Sequence, residues 1–272
     1  MDDDKKTREQ LLEELRSMRR VIEQSQRELQ LANTIQASLF PIRLPEVKGA
    51  TLAATAVSAN EVGGDYCDLL INKNNRLAIT IGDVMGKGVP AALLVAMTYA
   101  FVRNYAFDID SPAQIANRLN RSLFPQLDFA QQFLTFFYCT YNPDNRELIY
   151  SNAGHNPPLL YRAAIKECEA LPVRDFFIGG RVDAEYREGR TVLNPGDIVL
   201  FYTDGIKEGK NKQKEQFGLE RIINLLKDNH IYDPASIQEM ISCAFVEFLG
   251  EEPQSDDVTM IVIKIEQQML NN

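Results

Sequence analysis

Residues 7–40 contain neither glycine nor proline, and only two histidines, His155 and His230, occur anywhere in the 272 residues. With no G-x-S-x-G segment and only these two histidines available, a serine hydrolase triad is not indicated. Four cysteines (Cys67, Cys139, Cys168, Cys243) lie far apart with no C-x-x-C pair, so neither a zinc site nor a disulfide framework is indicated. Long apolar runs are also missing. The stretch from Val89 to Val102 is interrupted and short of the roughly 20 residues that cross a bilayer. The opening Asp2, Asp3, Asp4, Lys5 and Lys6 lead into a charged amphipathic run rather than the basic start and apolar core of an export signal. A cytoplasmic location is therefore expected. Basic residues are outnumbered, 29 against 38 acidic for a net charge of −9, which argues against nucleic acid and for a protein partner.

What is present sorts into two parts. In the segment free of glycine and proline, Leu11, Leu15, Met18, Ile22, Ser25, Leu29 and Ala32 recur in steps of four and three. That is a heptad seam about three repeats long, flanked by Glu, Gln and Arg, and it predicts a coiled coil pairing two chains. An amphipathic helix packed on its own domain is the other reading of the stripe. Pro41 and Pro45 stop the helix, because proline clashes with the preceding turn and brings no donor, so a boundary is expected near residue 40. The expected division is a coiled-coil and linker helix over 1–40 and a catalytic domain over 41–272.

Beyond the boundary the pattern turns to β-type runs: Leu52 to Val57, Tyr66 to Ile71, Arg76 to Ile81, Phe133 to Tyr141, Glu147 to Ser151, Asp197 to Tyr202 and Val258 to Ile265. Tyr141 to Arg146, with Asn142-Pro143-Asp144-Asn145 inside it, reads as a hairpin turn. Helices are expected over Pro90 to Ala106, from a Ser111 cap with Pro112 at its first position, over Leu219 to Lys227, and from an Asp233 cap with Pro234. Strands joined by hairpins, with helices in separate blocks, predict an α+β fold of antiparallel sheets covered by helices.

Four aspartate sites stand at the ends of apolar β runs: Gly64-Asp65, Gly82-Asp83, Thr203-Asp204-Gly205 and Ser255-Asp256-Asp257, with Asp68 close to the first. Gly-Asp and Asp-Gly pairs are ordinary turn residues when taken singly. Four of them at strand ends point instead to carboxylates converging on one cleft. Converging carboxylates repel unless cations neutralise them, and hard divalent ions prefer oxygen ligands. Two such ions would activate a water and clamp a phosphoryl group. Gly82 to Gly88 is not a nucleotide loop, since its glycine spacing is one residue short and no Ser or Thr follows Lys87.

Five ordered segments carry a resemblance: Gly63-Gly64-Asp65-Tyr66-Cys67-Asp68, Gly82-Asp83-Val84-Met85-Gly86-Lys87-Gly88, Asn152-Ala153-Gly154-His155-Asn156-Pro157-Pro158, Thr203-Asp204-Gly205 and Asp256-Asp257-Val258-Thr259. In order they resemble the motifs of the SpoIIE/RsbU-like bacterial branch of metal-dependent type-2C (PPM) protein serine/threonine phosphatases, over roughly residues 30–265. The resemblance implies an αββα sandwich whose cleft holds two, or at most three, Mn2+ or Mg2+ ions. It makes Asp83, Asp204 and Asp256 the catalytic carboxylates, with Asp83 bridging the ions, the Val84 carbonyl completing one shell and Asp204 and Asp256 holding the second ion. Asp65 matches an acidic position acting directly or through water, and Asp68, Gly86, His155 and Asp257 are secondary candidates.

The wider superfamily carries a histidine two residues after the bridging aspartate. Met85 stands there in this chain, which leaves His155 or a water to protonate the leaving group. By analogy, Lys207, Lys210, Lys212 and Lys214 are expected to dock the phosphoprotein; a plain solvated loop is the alternative. The seam of Leu11, Leu15, Met18, Ile22, Leu29 and Ala32 is expected to dimerise the chain. The resemblance further implies a phosphorylated STAS-domain anti-anti-sigma protein as substrate, in a partner-switching stress or developmental pathway. No sensory segment precedes the helix in this sequence, so an upstream activator, or a segment absent from it, is expected to deliver the signal. A non-catalytic phosphoprotein-binding module and a coiled-coil adaptor are the rival classes, and metal-dependent release of phosphate from an aryl phosphate separates them from an enzyme.

Overall fold

The computed structural model describes residues 7–41 and 43–266; the charged stretch 2–6, Ile42 beside the stop signal and residues 267–272 of the expected domain lie outside the described residues. Helix α1 (Arg8–Ala37) begins with a capping box, in which the Thr7 hydroxyl accepts from the Gln10 N–H and Gln10 Oε1 accepts from the Thr7 N–H. It ends one turn before Pro41, because a residue preceding proline is pushed out of helical geometry. Leu11, Leu15, Met18 and Ile22 are exposed, while Leu29 and Ala32 are half-buried and Gln36 is buried. The seam is thus open to solvent at its start and turned onto the chain's own domain at its end.

Ten strands and five further helices follow among the described residues: β1 (Ala50–Val57), β2 (Asp65–Ile71), β3 (Leu77–Val84), α2 (Val89–Ala106), α3 (Pro112–Ala130), β4 (Leu134–Asn142), β5 (Glu147–Ala153), β6 (Leu159–Arg162), β7 (Glu167–Ala170), β8 (Gly189–Val192), β9 (Ile198–Tyr202), α4 (Asp204–Glu208), α5 (Leu219–Asp228), α6 (Pro234–Leu249) and β10 (Val258–Ile265). One sheet runs β1-β10-β9-β6-β7 and the other β2-β3-β4-β5-β8, with every named pairing antiparallel.

Alternation along the strands decides what each face does. Cys67, Leu69, Ile79, Ile81, Phe137 and Cys139 of one sheet meet Val199, Phe201, Ile261 and Ile263 of the other in a shared core, where the Phe137 and Phe201 rings lie 5.6 Å apart. The opposite parity, Tyr66, Ala78, Phe136 and Tyr138, packs under α2 and α3. On the other sheet, Leu200, Tyr202, Met260 and Val262 pack under α5 and α6. The result is an αββα sandwich. Cutting Phe201 to alanine at the centre of the shared core would cost about 3–5 kcal/mol.

Every β run and every helix read from the sequence is present, with ends moved by a few residues. The strands with no signal in the sequence, β6, β7 and β8, have four residues each. Strands β7 and β8 are sheet edges, where charged residues such as Glu167 and Glu169 in β7 protect the open hydrogen-bonding row and erase the apolar alternation. Among the described residues, no helix is long and apolar enough to cross a membrane.

Candidate active site

The inter-sheet face ends in carboxylates. Asp65 and Asp83 are directly opposed on β2 and β3, in line with the core residues Cys67 and Ile81, so both side chains point into the mouth between the sheets. From the facing sheet, Thr203 at the end of β9 reaches across, its hydroxyl donating to Asp65 Oδ2 at 2.8 Å. Asp204 opens α4 immediately afterwards, and Asp256 and Asp257 lie just before β10. The ends of β2, β3, β9 and β10, from two sheets, therefore meet at one end of the sandwich.

The electrostatics record that convergence. Burial first, then the Asp204, Asp256 and Asp257 carboxylates, push Asp83 up to about 8, with Lys87 pulling the other way. Burial, then Asp83, holds Asp65 well above the usual carboxylate range, against the Thr259 and Thr203 hydroxyls, of which Thr203 closes a regular hydrogen bond. Asp204 is raised by burial, then by Glu208, with Lys207 opposing and Asp256 adding to the rise. Acids arranged this way stay ionised together only when a cation offsets their repulsion.

The backbone beside them fits such a cation. A Cβ on Gly64 would lie 2.7 Å from the Val84 carbonyl oxygen, 3.1 Å from that of Gly86 and 3.4 Å from Asp83 Oδ1. Three oxygens thus face one small space that a side chain would fill, which is why glycine stands there. Among the described residues, no three His, Cys, Asp or Glu side chains by themselves enclose an ion. The donor set is one of carboxylates and carbonyls with room for water, the chemistry of magnesium or manganese rather than zinc.

The other sequence candidates separate into different roles. Asp257 is buried and spent on backbone: Oδ1 accepts from the Ala59 N–H at 2.8 Å and Oδ2 from the Gly64 N–H at 2.7 Å, fixing the 59–64 loop. Gly205 is required against it, since a Cβ there would strike the Asp257 carbonyl oxygen. Asp68 lies on the α2 side of the sheet, in a two-pronged pair with Arg103 at 2.5 and 2.6 Å, and so stands apart from the carboxylate cluster. His155 is buried; its Nδ1 pairs with Thr135 Oγ1 at 2.9 Å and its Nε2 lies near the Tyr202 carbonyl without closing a bond. Burial, before any other cause, lowers it to about 3, so the imidazole is neutral. Asn152 brackets this turn, accepting from the His155 N–H and donating to its carbonyl.

The lysine-rich stretch is not a uniform loop. Lys207 sits on α4 and donates to Asn156 Oδ1 at 2.8 Å, while Lys210 bridges to Gln216 and Lys214 pairs with Glu252 at 3.6 Å. Two residues at the site escaped the sequence reading. Gln36 of α1 clamps Gly63, its Nε2 donating to the carbonyl at 2.8 Å and its Oε1 accepting from the N–H at 2.9 Å. The signal was the spacing Leu29, Ala32, Gln36, which continues the heptad steps with a polar residue. Thr203 had no signal beyond its place before Asp204.

Known proteins resemble this chain in sequence and in fold. The sequence matches the family described as Stage II sporulation protein E (SpoIIE) over residues 73–266. It is 27% identical to the phosphoserine phosphatase RsbU of Bacillus subtilis (strain 168) over 93% of this chain and 74% of that protein. With the phosphoserine phosphatase RsbP of the same organism it shares 25% identity over 89% of this chain, spanning 58% of RsbP. The SiaA-PP2C domain of Pseudomonas aeruginosa superposes with a TM-score of 0.78 at 21% identity, over 90% of this chain and 99% of that one, which shows a common fold. With more than half its length inside the family match and the converging carboxylates in place, the chain belongs to the SpoIIE family and is a serine/threonine phosphatase of the type-2C kind.

Proposed function

We propose that the chain hydrolyses a phosphoserine or phosphothreonine monoester on a small regulatory protein, of the STAS-domain anti-anti-sigma type, within a partner-switching stress or developmental pathway. The observation that carries the chemistry is the convergence of Asp65, Asp83 and Asp204, each raised by burial and then by a neighbouring acid, beside the three oxygens that face Gly64, a charge arrangement that calls for divalent cations. Asp83 would bridge two Mn2+ or Mg2+ ions, with the Val84 carbonyl in one shell, Asp204 and Asp256 on the second ion, and Asp65 acting directly or through water. When bound, such ions lower the pKa of a coordinated water and clamp the attacking and leaving oxygens. The protein's own part is to hold the acids: Thr203 orients Asp65, Asp257 fixes the loop before it, and Gln36 ties that loop to α1. Neutral His155 carries no imidazolium proton at neutral pH, so leaving-group protonation falls to water.

The division at residue 40 into a helix and a phosphatase domain goes with this reading. So does pairing of two chains through Leu11, Leu15, Met18 and Ile22, four exposed apolar residues on a helix that gains little stability alone. Lys207, Lys210, Lys212 and Lys214 would dock the acidic substrate along one lip. The test is turnover of phosphorylated STAS proteins from the same genome, with para-nitrophenyl phosphate as reference. Activity lost in EDTA and restored by manganese is expected, with one phosphoprotein strongly preferred. Turnover that survives EDTA overturns the metal reading, and equal rates on all phosphoproteins overturn the substrate reading.

A further inference from the structure

Lys87 occupies the loop between β3 and α2, four residues beyond Asp83 and between two glycines, Gly86 and Gly88, at φ +94° and +73°. Its ammonium lies 2.9 Å from Asp256 Oδ1 and also donates to the Ser255 carbonyl. Lys207, a second ammonium near Asp204, is held by Asn156 and faces Glu208. We infer that Lys87 is the internal counter-ion of the carboxylate cluster: it neutralises Asp256 in the ion-free protein, yields that carboxylate to an incoming divalent cation, and is then free to meet the phosphoryl oxygens of the substrate.

This rests on the reading of Asp83, Asp204 and Asp256 as metal ligands. The Lys87 and Asp256 side chains are 41% and 46% exposed, so their attraction is screened and weak. A divalent ion at a similar distance attracts the carboxylate about twice as strongly and displaces the ammonium. Its place four residues after Asp83, with Asp256 in contact, keeps its charge at the edge of the cluster. Once released it stays at the mouth on a flexible stem with three donors, and an incoming phosphate dianion is the group such a point charge recognises.

Two roles predict opposite signs. A lysine that merely props Asp256 in place helps the metal bind, whereas a counter-ion competes with it. Calorimetric titration of the full chain with Mn2+, then of the Mn2+-loaded protein with inorganic phosphate, separates them. Lys87→Met is expected to tighten Mn2+ binding by about two- to fivefold, the range for loss of a screened ion pair. The same variant should weaken phosphate binding by about tenfold. Lys87→Arg, which keeps the charge, should stay near wild type in both titrations, and Lys87→Gln provides a second neutral variant. Mn2+ binding that is unchanged or weaker in Lys87→Met and Lys87→Gln, while Asp83→Asn abolishes it, overturns the counter-ion role alone. Mn2+ bound equally well by Asp83→Asn and wild type overturns the metal-centre reading and this inference together.

Discussion

Strand β2 carries two aspartates three residues apart, and the two faces of one sheet put them to opposite uses. Asp65 points between the sheets among like charges, with the Thr203 hydroxyl as donor, and is held far from its ordinary ionisation. Asp68 points beneath α2, where burial also pushes it up but Arg103, in two-pronged contact, pulls it back. The first arrangement is unstable by itself and asks for an external cation. The second is complete. Residue type and neighbouring sequence do not separate these roles; strand parity and what packs on each face do. Asp256 and Asp257 repeat the contrast at the facing sheet, one beside Lys87 at the rim, the other consumed by backbone N–H groups.

The comparison can be broken most decisively at its cleft side. Asp83→Asn should reduce para-nitrophenyl phosphate turnover in manganese by about a thousandfold or more, since metal-assisted stabilisation is worth several kcal/mol. The fold should survive, and the metal-free variant should melt no lower than wild type, because one of several crowded charges is gone. Circular dichroism alongside the assay checks both.

On the α2 side the effect should reverse. Asp68→Asn leaves the half-exposed Arg103 guanidinium with a neutral partner and weakens two charge-assisted hydrogen bonds to a buried side chain, which should cost about 2 kcal/mol in denaturant unfolding. Activity per folded molecule should stay near wild type. A large loss of turnover with unchanged stability would place Asp68 in the chemistry after all.

The pH dependence sharpens the contrast further. Asp83, ordinarily at 3.8, is raised to about 8, so the metal-free folded chain keeps a proton that the unfolded chain releases. That contribution is full below about 4 and is lost as pH rises toward 8. His155 has the reverse sign: ordinarily at 6.5 and lowered to about 3, it favours the fold above 6.5 and ceases to do so as pH falls toward 3. Between pH 6.5 and 8 His155 adds no slope, while Asp83 acts in the same sense as the raised Asp65, so in EDTA the melting temperature should fall by about 5 °C or more across that span. Asp83→Asn should flatten the slope, and saturating manganese should remove it.

The smallest expected change concerns the link from α1. Gln36→Ala removes two hydrogen bonds to Gly63, next to the Asp65 loop, and should lower stability by about 1 kcal/mol. A several-fold drop in turnover at saturating manganese would show that the helix sets the geometry of the loop as well as anchoring it.

Much of the fold was legible because its signals are local. Short runs rich in β-branched and aromatic residues marked β2, β3, β4 and β10, and the Ser111 and Asp233 caps with their following prolines marked the starts of α3 and α6. The short strands β6, β7 and β8 were not, because four residues at or near a sheet edge carry too little alternation to register. The five-residue helix α4 was hidden for a similar reason, and with it the separation of Lys207 from the lysines of the following turn.

By itself the sequence determined which residues could take part: four aspartate sites at strand ends, no G-x-S-x-G segment to carry a serine nucleophile, and a heptad stripe with no glycine or proline to interrupt it. These follow from residue chemistry and from spacing along the chain. Only the tertiary structure decided which acids share a site. Facing Asp65 and Asp83 toward Asp204 and Asp256, while turning Asp68 away to Arg103, depends on the register of β2 against β3 and on two sheets meeting at one end. Register is set by which strand face is buried, and burial is a property of the assembled core that no single stretch of chain carries.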